Sequence, residues 1–387
     1  MEFSYEQNKT RSIDRDFSVN IKTQNILLVT SEFPPQPGGI GNHALNLAEF
    51  LSKDGFEVQV ITDQRESGKE EIQFDSNLKF SVKRVALRSF RPLMYLKRIH
   101  EVFRFSNKAN VIIATGKFPL WNVALLSFFR RKKYVAIVHG TEVNYKNNIL
   151  RWSINSALKR FHKIIAVSKF TKSLIAHLNL NNIVVIPNGF NAAAWSSKEG
   201  EQLNLKGSPK LITVGNVTSR KGQLNVIKHL PSVIKSYPDV HYHCVGYPTE
   251  KNEFLKEAQN LKVVDRITFH GRVQHEQLPL FLKNSDIFIM LSSQTATGDV
   301  EGFGIAILEA NHAGLPAIGA IGCGIEDAID NVRSGILIDH EDDQQFVEAI
   351  RIILDKREEF SKRAKEWAAE HSWEKVIKLY IKEIRTL

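Results

Sequence analysis

The sequence predicts an α/β protein of two domains, each a doubly wound parallel sheet. Three observations lead there. The chain has 387 residues, more than one core usually organises. Short β-branched apolar runs alternate with amphipathic segments along almost its whole length. Near the middle a polar stretch, 191–210, interrupts the alternation, which then restarts. The boundaries follow: a polar extension at 1–24, a first domain at 25–190, a linker at 191–208 and a second domain at 209–371.

Each element has a local reason. NILLVT (25–30), FEVQVIT (56–62), NVIIAT (110–115), KYVAIVHG (133–140), KIIAVS (163–168) and NIVVIPNG (182–189) are apolar on both faces, as buried parallel strands must be. Between the first two, Ile40, Ala44, Leu45, Leu47, Ala48 and Leu51 fall mainly on one helical face, and Gly55 follows as a stop. The linker, NAAAWSSKEGEQLNLKGSPK, holds a short helix at most. After it come KLITVGN (210–216), HYHCVG (241–246), RITFHG (266–271), DIFIMLS (286–292), LPAIGA (315–320) and GILID (335–339) as strands. Two helical patterns end the chain, DDQQFVEAIRIILDKREEFSKRAKEWAAE and SWEKVIKLYIKEIR.

Composition narrows the class. With 43% hydrophobic and 24% charged residues, the chain has the balance of a soluble globular protein. Cys244 and Cys323 are its two cysteines, too few for a disulfide framework; both are expected to be buried small apolar residues in a reducing cytoplasm. No run of 18 apolar residues is present, and the first 24 residues lack the apolar centre of a signal peptide. The net charge of +10 is uneven, since residues 83–172 hold 20 basic residues against Glu101 and Glu142 alone. Mixed with Phe, Leu and Tyr, these cations suit the surface of an anionic membrane.

Four motifs carry chemistry. Gly39-Ile40-Gly41-Asn42-His43-Ala44 spells the G-x-G-x-x-A of dinucleotide sites, and Asp63 sits where a ribose-binding acid would. Eight residues, Ser31 to Gly38, separate the strand from Gly39, however, and Pro34, Pro35 and Pro37 stiffen them. That is a loop laid over a site rather than a tight dinucleotide turn. Gly38, Gly39 and Gly41 still allow backbone to approach a diphosphate. In the second half, TGDVEGFGIAILEANHAG places Glu301 and Glu309 eight residues apart around the start of a helix near Gly304. Gly302 to Ile305 then offer N–H groups to an anion, Glu301 sits ready for sugar hydroxyls and Glu309 for a ribose diol. In VGNVTSRKG, a strand ends at Gly215 and Arg220-Lys221 open a helix, where two cations oppose the dipole unless an anion joins them. HGTEV puts His139 just past a strand's carboxyl end.

Together these elements resemble the family 4 glycosyltransferases, over nearly all of the chain from Asn25 onward, with EGFGIAILEA as the most specific part. The phosphatidyl-myo-inositol mannosyltransferase-like branch is the most similar in flavour. The resemblance implies a GT-B fold, two Rossmann-like domains facing a central cleft, with the acceptor on the first domain and the nucleotide sugar on the second. It implies that the last helix, 372–387, packs back on the first domain. Gly39 and Gly41 would lie against the donor diphosphate, His139 against its sugar, and Arg220 and Lys221 would neutralise the leaving charge. Glu301 would hold sugar hydroxyls, Phe303 and Gly304 would supply N–H groups, Glu309 would bind ribose, and the backbone of Gly271-Arg272-Val273 would read the base. Asn216 departs from the family, many of whose members carry arginine there.

The expected activity is therefore transfer of a hexose with retention from a GDP- or UDP-sugar to a lipid-linked or glycan hydroxyl, in cell-surface polysaccharide or glycolipid synthesis. It needs no cofactor and no metal, the D-x-D string Asp14-Arg15-Asp16 lying in the polar extension. The expected location is the cytoplasm, peripheral on the inner face of the membrane, with no nucleic-acid partner. A sugar-nucleotide epimerase of the same fold is the alternative. An NAD dehydrogenase is disfavoured by the long proline loop. A basic nucleic-acid module would leave the Glu301 to Glu309 element unexplained.

Overall fold

A computed structural model describes residues 24–36, 38–65, 68–86, 90–195 and 203–387. Most of the polar extension with its D-x-D string, Pro37, and linker residues 196–202 lie outside the described residues.

The first half forms a parallel sheet of seven strands: β1 (Asn25–Thr30), β2 (Glu57–Asp63), β3 (Ser81–Val85), β4 (Val111–Thr115), β5 (Lys133–Val138), β6 (Lys163–Ala166) and β7 (Ile183–Val185). Their order is β3-β2-β1-β4-β5-β6-β7. The second half forms a parallel sheet of six: β8 (Lys210–Val214), β9 (His241–Val245), β10 (Ile267–Gly271), β11 (Ile287–Met290), β12 (Ala317–Ala320) and β13 (Gly335–Ile338), ordered β10-β9-β8-β11-β12-β13. In each sheet the order reverses beside its first strand, and crevices at such switch points open beyond the carboxyl ends of the strands. The loops after β1, β5, β8 and β11 therefore share one region.

β3 is the strand the apolar pattern does not show. It reads Ser-Val-Lys-Arg-Val at the sheet edge, where one side of the pairing is missing and polar side chains are tolerated. Arg84 on it pairs with Glu71 (3.1 Å) and Asp75 (2.8 Å) of α2 (Lys69–Ser76) and donates to the carbonyl of Pro34. The edge strand thereby fixes the proline loop. The long helical pattern after Glu341 is also two helices, α11 (Asp343–Asp355) and α12 (Arg357–Glu370), divided at Lys356.

Helices cover both faces of each sheet. On one face of the first sheet lie α3 (Arg91–Phe105), α4 (Lys117–Leu126) and α5 (Asn148–Leu158), burying Met94, Val102, Leu120, Val123, Ile154 and Leu158. On the other face lie α1 (Gly39–Lys53) and, from the far end of the chain, α13 (Trp373–Arg385). Trp373, Val376, Ile377, Tyr380, Ile381 and Ile384 repeat at helical spacing, and all are buried. The crossing back is pinned where Phe190 N–H donates to His371 (3.0 Å) and Trp373 N–H to the Phe190 carbonyl (3.2 Å). One hydrophobic cluster consequently runs from α1 through α13 into α10 (Ile305–His312) of the second half. Cys244 and Cys323 are free and buried in the second half, each thiol pushed up to about 12 by burial. Among the described residues no helix is long and apolar enough to cross a membrane.

Trp373 is 1% exposed and stacks on Phe50 of α1 at 6.1 Å between ring centroids. Trp373→Ala is expected to cost about 3–5 kcal/mol, the usual loss for truncating a buried tryptophan. Denaturant unfolding measures it, and a loss below about 1 kcal/mol would show that α13 does not hold the halves together.

Candidate functional site

Between the two halves lies a cleft of about 710 Å³. Pro34, Pro35, Asn42 and His43 line it from the first half, and Gly215, Asn216, Tyr247, Arg272, Val273, Ile305 and Glu309 from the second. Pro34 and Pro35 belong to the loop after β1, Gly215 follows β8, and Arg272 and Val273 follow β10, so strand carboxyl ends build the walls. The Arg272 guanidinium lies 5.3 Å from the centroid of the Tyr247 ring. A planar cation over an aromatic face makes a flat wall suited to a base.

Where the halves touch, the residues are closer still. An ideal Cβ on Gly302 would stand 1.6 Å from the carbonyl oxygen of His139, so only glycine fits. The Thr171 hydroxyl donates across the same seam to the Gly302 carbonyl (3.3 Å), and Asn144 Nδ2 to the Gly298 carbonyl (2.8 Å). Glu301, 9% exposed, is thereby held at the joint. Its Oε2 accepts from Lys221 Nζ at 2.9 Å and from Arg220 Nη1. Both cations stand in the short helical turn Ser219–Lys221 between β8 and α7 (Gln223–Ser236). Gly215 makes room for the lysine stem, since a Cβ there would meet Lys221 Cε at 3.3 Å. Burial pushes the Glu301 carboxyl up, but Lys221 and Arg220 outweigh it and hold the group below the ordinary carboxylate range.

Glu309 is a different case. It sits inside α10, half-buried, and burial raises its carboxyl to about 7 against a smaller opposing effect of Lys221. The N-cap of α10 is Gly304, in the left-handed region at φ 93, and the first turn of a helix leaves N–H groups for an anion.

His139 follows β5 as its position in the sequence requires. Its Nε2 lies 2.8 Å from Thr115 Oγ1 at the end of β4, and burial lowers the ring to about 4, so it is neutral at pH 7. Its backbone N–H donates to Glu142 Oε1. Burial raises Glu142 to about 7, and its Oε2 is buried without a partner. His43, on α1, meets the His139 ring edge-on at 5.0 Å between centroids, and its Nε2 lies 2.9 Å from the Tyr380 hydroxyl.

The expected residues fall into two groups. Gly215, Arg272, Val273, Ile305 and Glu309 line the cleft; His139, Arg220, Lys221, Glu301 and Gly302 meet at the seam. Phe303 and Gly304 connect the two, the Phe303 side chain lying in the core. Gly38, Gly39 and Gly41 stand at the start of α1 outside the cleft lining, and Gly41 packs on the backbone of Phe33. Asp63 is no ribose ligand, because it is buried against Arg98 inside the first half. Sequence reasoning missed Thr115, Glu142 and His43. Glu142 had a signal, an acid three residues past His139 at a strand end; the His43 contact with Tyr380 spans 337 residues and had none.

Two family models match in tandem: Glycosyltransferase Family 4 over residues 37–194 and Glycosyl transferases group 1 over residues 196–371. A GDP-mannose-dependent alpha-(1-6)-phosphatidylinositol monomannoside mannosyltransferase of Mycobacterium tuberculosis is 24% identical, covering 90% of this chain and 95% of its own. An alpha-monoglucosyldiacylglycerol synthase of Streptococcus pneumoniae is 22% identical over 92% of this chain and 85% of its own. Among solved structures, a sucrose-phosphate synthase from Thermosynechococcus elongatus superposes with a TM-score of 0.78 at 18% identity, covering 94% and 98% of the two chains. Anabaena HepE, in complex with UDP and glucose, superposes with 0.75 at 18% identity over 94% and 100%. The two facing sheets are the GT-B fold.

A carboxyl raised from 4.5 to about 7 disfavours folding once the unfolded chain ionises and the folded one does not. Glu309 therefore costs the wild type stability as pH rises from 4.5 to about 7, and nothing below that window. Glu309→Gln removes the cost. Urea midpoints should match between variant and wild type near about pH 4 and favour the variant near about pH 8. A gap independent of pH would show that Glu309 ionises normally.

Proposed function

The chain belongs to the family 4 glycosyltransferases, and from that premise we propose that it moves a hexose from a nucleoside-diphosphate sugar to a hydroxyl of a lipid-linked or glycan acceptor, with retention and without a metal. The observation that carries this is the pair Arg220 and Lys221 held beside the N-terminal side of α10, next to a cleft that ends on Glu309. A diphosphate leaving group gathers negative charge as the glycosidic bond breaks. Two cations and the free N–H groups from Phe303 to Ile305 stabilise that charge where other enzymes employ a metal ion.

The remaining roles follow the cleft. The Glu309 carboxylate takes the ribose diol, and the backbone at Gly271 to Val273 beside the Arg272–Tyr247 wall takes the base. Neutral His139 and the Glu301 carboxylate face the donor sugar. The acceptor hydroxyl attacks from the face the diphosphate leaves, which retains the anomeric configuration. A GDP-sugar and a UDP-sugar both suit this site; the mannosyltransferase relatives favour GDP-mannose.

Binding of the donor is read by thermal shift over a panel of GDP- and UDP-sugars. Lys221→Ala is expected to lower turnover by roughly tenfold to a thousandfold with the fold retained. Wild-type rates in that folded variant would sink the diphosphate assignment.

We assign the membrane contact of residues 83–172 to two features of the first half. Phe90, Leu96, Ile149 and Trp152 are exposed on or beside the amino-terminal halves of α3 and α5, 63–76% each, and suit a lipid-linked acceptor. At the opposite end of the sheet an opening of about 710 Å³ is lined by Arg130, Arg131, Lys132, Lys133, Lys159 and Arg160. Phe128 and Phe129 flank it, each 67% exposed. Among the described residues these six cations have no carboxylate partner. Phosphate headgroups of an anionic bilayer fit that chemistry, which supports a peripheral position on the inner face of the cell membrane.

Arg131→Glu with Lys132→Glu is expected to abolish flotation with phosphatidylglycerol vesicles at low salt, each lost cation weakening binding roughly fivefold. Neutral vesicles should bind neither protein. Unchanged flotation of the double variant would remove the groove from the contact.

A further inference from the structure

The cations assigned to the diphosphate already hold an anion of the protein's own. Glu301 Oε2 accepts from Lys221 Nζ at 2.9 Å and from Arg220 Nη1. The backbone that carries Glu301 has nowhere to go. Its carbonyl accepts from Gly324 N–H at 2.9 Å, and Gly302 next to it is wedged under the His139 carbonyl. Only the Glu301 side chain is free to change partners.

We infer that Glu301 is the resident counter-ion of the diphosphate subsite, and that it makes the enzyme hold a sugar nucleotide better than the nucleoside diphosphate it releases. A diphosphate reaching Arg220 and Lys221 competes with Glu301 for the same N–H groups. Once displaced, the carboxylate is a covered charge without a partner, which is costly. A donor that carries a sugar offsets the cost, because its hydroxyls donate to the displaced carboxylate. A nucleoside diphosphate has no hydroxyls in that position. It takes the cations and leaves Glu301 unpaired, so Glu301 returns to them and the product goes.

This rests on the functional reading above, in which the subsite takes the donor diphosphate. It adds to Glu301 a task other than touching the sugar. A group that only touches the sugar would, when neutralised, weaken the donor and leave the product alone. A counter-ion, when neutralised, tightens the product.

Calorimetric titration of GDP and UDP, and of the nucleotide sugar picked out by the donor panel, into wild type and Glu301→Gln separates these outcomes. The nucleoside diphosphate is expected to bind the variant on the order of tenfold more tightly, while the nucleotide sugar gains nothing or weakens. Structural damage does not tighten a ligand, so folding defects cannot mimic the result. Glu301→Ser carries the same test if the glutamine variant fails to fold. A folded variant that binds the nucleoside diphosphate as wild type does, or more weakly, overturns the counter-ion role and leaves the glycosyltransferase reading standing. A wild-type chain that binds no nucleotide sugar overturns both.

Discussion

The His139 carbonyl and Gly302 approach so closely that no side chain fits between them. That contact joins the loop after β5 to the loop before α10, and the side chains of the seam take their positions from it. Glu301 is the neighbour of Gly302, and Glu142 holds the amide of His139 itself. A cleft between two sheets has useful geometry only if the sheets have one relative position. Here that position is set by backbone against backbone, with α13 crossing behind to bind the halves through one shared core.

Charge is arranged around the same joint. Two cations, an ionised Glu301 and a Glu309 that titrates near neutrality stand in low-dielectric surroundings. The two carboxylates come from one helix and the loop before it, yet their environments push them in opposite directions. Lys221 and Arg220 lie against Glu301 and hold it ionised; Glu309 receives only a weaker effect from Lys221, and burial prevails. Separated in this way, one carboxylate is bound to Arg220 and Lys221 and the other faces the cleft.

Much of this was legible in the sequence. The six apolar runs of each half appear as strands because parallel strands are buried on both faces and cannot hide their composition. The E-x7-E spacing from Glu301 to Glu309, and the cations after Gly215, are local facts that survive folding unchanged. β3 escaped because an edge strand need not be apolar, and the division at Lys356 escaped because the helical pattern runs on through it. Asp63 looked like a ligand by spacing alone, and its burial against Arg98 comes from packing that spacing does not encode.

By itself, then, the sequence determined the two α/β halves, the family resemblance and the spacing of Glu301 and Glu309, because these depend on period, composition and short spacings. Only the tertiary structure decided which anion stands beside Arg220 and Lys221. It is Glu301, 81 and 80 residues away in the chain. Likewise only the fold brings Tyr380 to His43 and the carbonyl of His139 to Gly302. Such pairings form between distant segments once both sheets are complete, and no local pattern records them.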